Sequence, residues 1–197
     1  MKISKRGEYA LRALIDIGIA RELGRDLVQI SELAAQERLP VKFLEQILTQ
    51  LKQAGYVDSK RGKYGGYHLK MPADRIRFGS VIRLIDGPLA PIACVSQTAY
   101  EPCTCPDEEH CGLHMLMLDV RNSIANILDR YTLADTVELT LRKMRRDRVP
   151  LPFLGVIHVP VPIGLLPGSR SERPVAKAAK AAKAAKVAKA AKAAKKQ

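Results

Sequence analysis

The first half of the chain contains three stretches in which apolar residues recur at helical spacing. Residues 5–23 are apolar on more than one side and follow Ser4, a suitable N-cap, so we expect a central packing helix there. Ser31 is placed to cap a second, short helix, which should end near Leu39 because a residue before proline is pushed out of the helical region. A third helix is predicted from Val41.

The third helix has one apolar face and is followed by the pattern of a hairpin. Its apolar positions, three and four residues apart, are Phe43, Leu44, Ile47, Leu48 and Leu51. Gly55 is a natural left-handed terminator for this helix. Residues 56–59 and 67–70 are predicted strands on either side of a glycine-rich turn, and residues 27–29 could pair with them as a further short strand.

The turn of this hairpin is positively charged. Lys60, Arg61 and Lys63 surround Gly62, and a hairpin built only for packing has no need of these cations. Two helices, a tight turn and a basic hairpin in this order predict a winged helix-turn-helix domain over residues 1–87. A helix pair that serves packing alone, as in other all-α domains, is the alternative. The basic turn favours DNA, through the phosphate backbone or a minor groove.

The second half predicts three more helices around an irregular loop. A short helix should close at Gly87, and the irregular segment covers residues 88–111. Gly112–Arg130 is the longest periodic stretch, and Thr132 can cap a final helix, Leu133–Arg146. We expect a two-fold partner helix to cover the long helix, with a core helix inside one chain as the alternative. The predicted fold class is mainly α, a winged helix-turn-helix domain with a long C-terminal dimerisation helix.

Positive charge is concentrated at the C-terminus. Residues 170–197 contribute +9 of the formal net charge of +13, from ten basic residues against Glu172. Their lysines recur every third residue among alanines, so they drift around a helix and line no single face. We expect a disordered tail that becomes helical when DNA phosphates neutralise it, and a polyanionic partner, nucleic acid before membrane. A solubilising tail without a further role is the alternative.

The remaining segments do not predict a membrane protein. Residues 149–168 have no formally charged side chain but contain five prolines, each of which costs a helix interior about 3 kcal/mol. We therefore predict a proline-rich linker over residues 149–169. The first twenty residues do not resemble a signal peptide, since Glu8, Arg12 and Asp16 interrupt any apolar core, and we expect a cytoplasmic, nucleoid-associated protein.

The irregular loop contains all four cysteines of the chain: Cys94, Cys103, Cys105 and Cys111. In a cytoplasmic protein such a group favours soft metals, iron–sulfur clusters or oxidant sensing over disulfides. The spacing differs from the paired CxxC of a zinc ribbon, which disfavours structural zinc. A thiol redox enzyme that uses Cys103 and Cys105 is a further alternative, but nothing else in the chain supports an enzyme.

Four segments together resemble a known family. They are the opening MKISKRGEYALRAL, the run FLEQILTQLKQAGYVDSKRGKYGGYHL, the segment DRIRFGSVIRLIDG and a cysteine loop ending in CGLH ahead of a long helix. They are similar to the IscR/NsrR/RirA regulators of the Rrf type, over about residues 1–144. The resemblance implies a winged-helix homodimer that binds palindromic promoter DNA. It also implies a [2Fe-2S] or [4Fe-4S] cluster held by three cysteines and a fourth ligand.

The resemblance implies roles for individual DNA-binding residues. Lys42, Glu45 and Gln46 correspond to positions where the recognition helix of the family meets base edges. Arg61 with Gly62 corresponds to the wing tip that enters the minor groove. The proline-rich segment and the lysine tail are not part of the usual family pattern.

The resemblance also places a metal site in the cysteine loop, with ligands drawn from Cys94, Cys103, Cys105 and Cys111. The first and last match family ligands directly, and the middle ligand is either Cys103 or Cys105. His114 stands where some members use a histidine as the fourth ligand, and Glu8 where others use a carboxylate from the partner's first helix. A polar helix start for His114 and a solvated helix position for Glu8 are the alternatives.

These patterns combine into one functional hypothesis. The chain is expected to be a transcriptional regulator, a repressor as most members of the family are, that senses iron, redox state or nitric oxide through an iron–sulfur cluster. Residues 112–148 would supply the dimerisation helix and the final helix. A cluster-free winged-helix regulator that uses thiol oxidation or zinc is the alternative, and no enzymatic activity is expected.

Overall fold

Six helices and a two-stranded hairpin form the part of the chain that the computed structural model describes, residues 2–154. The helices are α1 (Lys5–Glu22), α2 (Ile30–Glu37), α3 (Val41–Gln53), α4 (Phe78–Asp86), α5 (Gly112–Arg130) and α6 (Leu133–Arg146), and the strands are β1 (Val57–Lys60) and β2 (Gly66–Leu69). This confirms the mainly α fold. The predicted lysine tail and most of the predicted linker lie outside the described residues. Among the described helices, none is both long and apolar enough to cross a membrane.

α1 is the central packing element, as its apolar pattern predicts. It contacts α2, α3, α4, α6 and β2, and its buried side chains include Leu14 and Ile17. Gly18 allows α6 to approach closely, because a Cβ there would lie 2.7 Å from a methyl group of Val137. Ser4 caps the helix as predicted, since its hydroxyl accepts the Gly7 N–H at 3.0 Å.

α2 and α3 form the helix-turn-helix. The prediction that Ser31 caps α2 is wrong, because the helix already begins at Ile30 and Gln29 is its N-cap. Ile30 packs against the hydrophobic core, which draws it into the first turn, and the Glu32 carboxylate closes that turn by accepting the Gln29 N–H at 3.0 Å. α2 ends at Arg38, whose left-handed φ of 54° turns the chain towards α3.

The hairpin of β1 and β2 follows α3 directly and forms the wing. The two strands are antiparallel, with Val57 opposite Leu69 in the core. Val28 pairs with Tyr67 on the other edge of β2, so the predicted pairing of residues 27–29 with the wing is present as one isolated bridge and not as a third strand. Gly55 joins α3 to the hairpin with a φ of 82°, the left-handed conformation expected of a glycine terminator.

Two carboxyl groups meet in the interface between α1 and α2. Asp16 is 6% exposed, and the Glu37 side chain is 8% exposed and forms an ion pair with Arg12. Burial, followed by the negative charge of Glu37, raises the pKa of Asp16 to about 8. The guanidinium group of Arg12 is therefore shared between two buried carboxyl groups. Asp16 carries a proton at neutral pH.

α5 lies on the outside of the described chain. Arg83 of α4 donates two hydrogen bonds of 2.7 Å to Asp129 near the end of α5. Within residues 2–154, no side chain of α5 is buried, and its exposed large apolar residues are Leu113, Met115, Leu116 and Ile127. The apolar face of α5 is thus uncovered within one described chain. This is the face against which the sequence predicts a partner helix.

The chain turns back over the core after α6. Leu151 and Phe153 pack against the hydrophobic core, and we call residues 149–154 the C-terminal strap. Arg25 holds the strap, because its guanidinium lies 6.0 Å from the centre of the Phe153 ring and donates a 3.3 Å hydrogen bond to the Phe153 carbonyl. The same guanidinium pairs with Glu32 at 2.8 Å, so the strap ends beside α2.

Candidate functional site

The outer face of α3 presents the side chains that the sequence analysis assigns to base contacts. Lys42, Glu45 and Gln46 line a groove of about 720 Å³, and all three residues are exposed. Gln50 anchors the helix behind them by donating a 3.0 Å hydrogen bond to a carbonyl of α4. Arg6 of α1 lines the same groove. Sequence analysis missed Arg6 because nothing in the local pattern links the start of α1 to α3.

The wing tip presents the predicted cations to solvent. Lys60, Arg61 and Lys63 are exposed, and Gly62 between them has a φ of 118° that favours glycine. Gln29 donates a 3.3 Å hydrogen bond to the Lys63 carbonyl, which ties the tip to the beginning of α2. Exposed cations on a short, anchored turn suit phosphate neutralisation and insertion into a minor groove.

A charged contact fixes the wing against α3. Lys52 lies 3.0 Å from the Asp58 carboxylate and donates a 2.7 Å hydrogen bond to the Ser59 hydroxyl. The hydrogen bond from Lys52 lowers the pKa of Asp58. The sequence pattern shows Lys52 only as an outward polar position. In the fold it links the last turn of α3 to β1.

The four cysteine thiols of the loop meet at the start of α5. All four are free thiols. Cys103 lies close enough to Cys94 and Cys105 for the thiols to influence one another's pKa, and Cys111 influences the pKa of Cys105 in the same way. The Cys105 N–H donates to Cys103 Sγ at 3.4 Å. The described loop therefore brings all four predicted ligands into one contiguous group of sulfur atoms.

The thiols of this group differ in acidity because they share protons. Hydrogen bonding from Cys105 lowers the pKa of Cys103 and raises the pKa of Cys105 to about 12. Burial, then the negative charge of Cys103, raises the pKa of Cys94. One thiolate is thus stabilised by its neighbours, and the thiolate is the form that binds metals and reacts with oxidants.

Glu108 joins the cysteine group, although the sequence analysis missed it. Its carboxylate accepts the Cys103 N–H at 3.2 Å and the Tyr100 O–H at 3.0 Å. The ligand atoms of Cys94, Glu108 and His114 all lie within 4.8 Å of one another. Glu108 is one of several acidic residues in an irregular loop, so no periodicity or spacing distinguishes it before the loop is folded.

His114 and Glu8, the two candidates for a further ligand, lie in different places. His114 is in the first turn of α5, and its buried Nδ1 atom lies 3.4 Å from a Glu108 carboxylate oxygen. Glu8 pairs with Lys5 at 2.7 Å and with Arg12 at 3.5 Å on α1. His114 therefore lies beside Cys94 of the same chain. That Glu8 acts as a ligand at the cysteine loop of a partner chain stays a prediction.

The donor set at the start of α5 fits a soft metal or a cluster. Thiolate sulfur suits iron–sulfur clusters and zinc, and an imidazole or carboxylate can complete the coordination of either. Cys94, Glu108 and His114 already bring one sulfur, one oxygen and one nitrogen donor within 4.8 Å of one another. The residues of the loop can therefore hold the group that the resemblance implies.

The chain is similar to known bacterial transcriptional regulators. The Rrf2 family model, described as an iron-dependent transcriptional regulator, matches residues 3–139. A putative HTH-type, rrf2-like transcriptional regulator of Rhodobacter capsulatus is 41% identical over 138 residues, which cover 68% of this chain and 90% of the relative.

Two solved structures of regulators resemble the described fold. CymR, the global cysteine regulator of B. subtilis, is 31% identical with a TM-score of 0.58, over 71% of this chain and 98% of that chain. T. potens IscR is 28% identical with a TM-score of 0.55, over 71% of this chain and 88% of that chain. These similarities confirm the winged helix-turn-helix fold and a regulatory rather than enzymatic role. The chain belongs to the Rrf2 family of DNA-binding transcriptional regulators.

Proposed function

We propose that two copies of this chain form a repressor that senses iron, redox state or nitric oxide through an iron–sulfur cluster. Residues 1–87 read palindromic promoter DNA, residues 88–111 hold the cluster and residues 112–148 form the dimer. The observation that carries this proposal is the contiguous group of four thiols, with His114 beside Cys94, at the start of α5. Such a regulator acts in the cytoplasm, on the nucleoid.

α3 and the wing divide the reading of DNA between two grooves. In the major groove, Gln46 offers two hydrogen bonds to adenine, Lys42 can donate to guanine and Glu45 can accept from cytosine. Each good bidentate contact discriminates against a wrong base by about 1 to 3 kcal/mol. Arg61, next to Gly62 in the exposed turn of the wing, inserts into the minor groove.

α5 supplies the dimer interface. Leu113, Leu116 and Ile127 are 57%, 57% and 52% exposed in the single chain, an unusual apolar load for a solvated helix. A two-fold axis that packs α5 against its own copy buries these side chains. The symmetry of the protein then requires a palindromic operator whose half-sites lie one DNA turn, or a multiple of it, apart.

A cluster bound by the cysteine loop would affect α5 because the loop continues directly into this helix. Cys111 is the residue before the helix, and His114 lies in its first turn. An iron–sulfur cluster supplies a centre whose integrity depends on iron supply, oxidants and nitric oxide. An ordered loop would fix the position of the first turn of α5 through Cys111 and His114. The orientation of α5 in turn fixes the distance between the two α3 helices. Half-sites at a fixed spacing tolerate little error in that distance.

Oxygen-free purification tests the cluster. We expect visible absorption together with iron and acid-labile sulfide, and loss of all three when Cys94 or Cys111 is replaced by serine. Thr104→Ser is the matched control, since Thr104 lies in the same loop and offers no sulfur. Protein without iron and sulfide, which binds its operator equally well under all iron and oxidant conditions, would contradict the proposal.

A cluster-free regulator is the second candidate function. The mixed donor set of Cys94, Glu108 and His114 favours it, because sulfur, nitrogen and oxygen donors within 4.8 Å of one another match the ligands that zinc accepts. Metal analysis separates the two candidates. Stoichiometric zinc without sulfide supports this one, as does metal-free protein whose operator affinity changes with thiol oxidation.

A further inference from the structure

A cavity lined by basic side chains lies at the root of the wing. Its volume is about 320 Å³, and its lining residues are Arg21, Asp26, Leu27, Lys60, His68, Leu69, Lys70 and Pro72. The basic residues come from three elements, since Arg21 is in the last turn of α1, Lys60 ends β1 and His68 lies in β2. Their convergence is therefore a property of the fold and not of one charged run.

The three full cations of this cavity form no salt bridge within the described chain. Arg21, Lys60 and Lys70 make no salt bridge with any described residue. Two nearby cations show the opposite behaviour, because Arg25 pairs with Glu32 at 2.8 Å and Lys52 pairs with Asp58 at 3.0 Å. Asp26 is the one carboxylate among the lining residues, so three full positive charges face one negative charge.

His68 adds an imidazole ring to the lining of the same cavity. The residue pairs with Asp58 across the hairpin, so the backbone of β2 fixes its position at the cavity wall.

We propose that this cavity binds a phosphate group. Three full cations and an imidazole offer donors almost exclusively, and phosphate is an acceptor with three or more oxygens that several donors can share. A divalent cation would meet three positive charges and one carboxylate, which excludes it. The volume lies at the small end of the range for ligand sites, about 300 to 1,000 Å³, so a phosphate group with a small substituent fits.

Two sources can supply this phosphate. One is the DNA backbone beyond the base pairs that α3 and the wing tip read, because Lys60 belongs both to the wing tip and to the cavity. The other is a free phosphate or a small phosphorylated metabolite that occupies the wing root and competes with DNA there. Neither source depends on what the cysteine loop binds.

The test compares a double variant, Arg21→Gln with Lys70→Gln, with the control variant Lys143→Gln. Both replaced residues line the cavity, whereas Lys143 is an exposed cation of α6 without a salt bridge in the described chain. In the first arm, inorganic phosphate is titrated against the whole protein at constant ionic strength, and the His68 ring resonance is followed by NMR. In the second arm, the salt dependence of affinity is measured for an operator selected from random DNA with long flanks.

Each outcome decides the proposal. If the source is the DNA backbone, the double variant lowers the log–log salt slope by about 0.9 for each phosphate that it no longer neutralises, and Lys143→Gln leaves the slope unchanged. If the source is free phosphate, the His68 resonance shifts in a saturable way that the double variant abolishes, and the DNA slope stays the same. An unshifted resonance together with equal slopes for all three proteins overturns the proposal.

Discussion

Asp16 makes the stability of this domain depend on pH. Its ordinary pKa of 3.8 is raised to about 8 in the folded chain by burial and by Glu37. A raised carboxyl pKa contributes stability that is fully present below pH 4 and is lost as the pH rises through 8. We therefore expect the free energy of unfolding to fall between about pH 5 and pH 9, and Asp16→Asn to reduce this fall by at least about 1.4 kcal/mol, the equivalent of one pKa unit.

Urea unfolding at a series of pH values measures this effect. Asp74→Asn removes an exposed carboxylate from the same domain and serves as the control, which should follow the wild-type pH profile. Equal pH dependence in all three proteins would show that Asp16 does not hold the proton.

Gly79 is required by the ion pair between α4 and α5. A Cβ at this position would collide with the Asp129 carboxylate and would lie 2.9 Å from an Arg83 nitrogen. We expect Gly79→Ala to push the Asp129 carboxylate away from Arg83 and to lower the free energy of unfolding by about 0.5 to 1 kcal/mol, the usual worth of a partly exposed ion pair, because both side chains can move aside. Gly112→Ala is the control, because a Cβ on Gly112 meets no atom within 4 Å. Chemical denaturation of both variants measures the difference, and equal stability would contradict the assigned contact.

Residue types were easier to predict from the sequence than residue partners. The four clustered cysteines and the basic wing turn are visible in the sequence, because their chemistry is unusual for their positions. Glu108, Arg6 and Asp16 were not singled out for the roles that the fold gives them, since each acquires its role from a contact with another element. The Ser31 cap was wrong for a related reason: packing of Ile30 on the core decided where α2 begins.

Among the elements, α5 carries the clearest expectation about assembly. Replacing Leu116 by aspartate places a charge on the exposed apolar face of the helix, and burying it in a symmetric interface places two like charges near each other. We expect Leu116→Asp to shift the protein from dimer to monomer in sedimentation velocity. Leu139→Asp is the control, because Leu139 is 60% exposed on α6, away from this face. A variant that sediments as wild type would argue against α5 as the interface.

Periodicity predicted the helices well because most of them have a buried face to reveal. α3 and α6 begin and end close to the predicted residues, since their apolar stripes face the core and a glycine or a threonine cap marks one end. The path of the loop before α5 could not be predicted. It has no repeating pattern, and its conformation depends on hydrogen bonds such as the one from the Cys103 N–H to Glu108.

At the scale of the whole molecule, the C-terminal strap places the end of the described chain close to the helix-turn-helix. The described chain ends beside α2, next to the Arg25 and Glu32 pair, so the remaining residues start near the helix-turn-helix. We propose that the tail lysines contact DNA phosphates. Deleting residues 173–197 should flatten the salt dependence of DNA affinity by about 0.9 in log–log slope for each phosphate that the tail neutralises.

The matched control for the deletion replaces every tail lysine by arginine, which keeps the charge and should keep the slope. Fluorescence anisotropy with one DNA duplex at several salt concentrations gives both slopes. An unchanged slope after deletion would show that the tail does not reach the phosphates.

The loose attachment of α5 has an evolutionary consequence. The helix rests on its own chain mainly through α4 and the turn that contains Cys94, whereas the proposed base contacts belong to α3. In the proposed dimer, substitutions on α5 can therefore change the separation of the two α3 helices while each DNA-binding domain keeps its folded structure. Operator spacing and base preference can diverge independently among descendants of such a regulator.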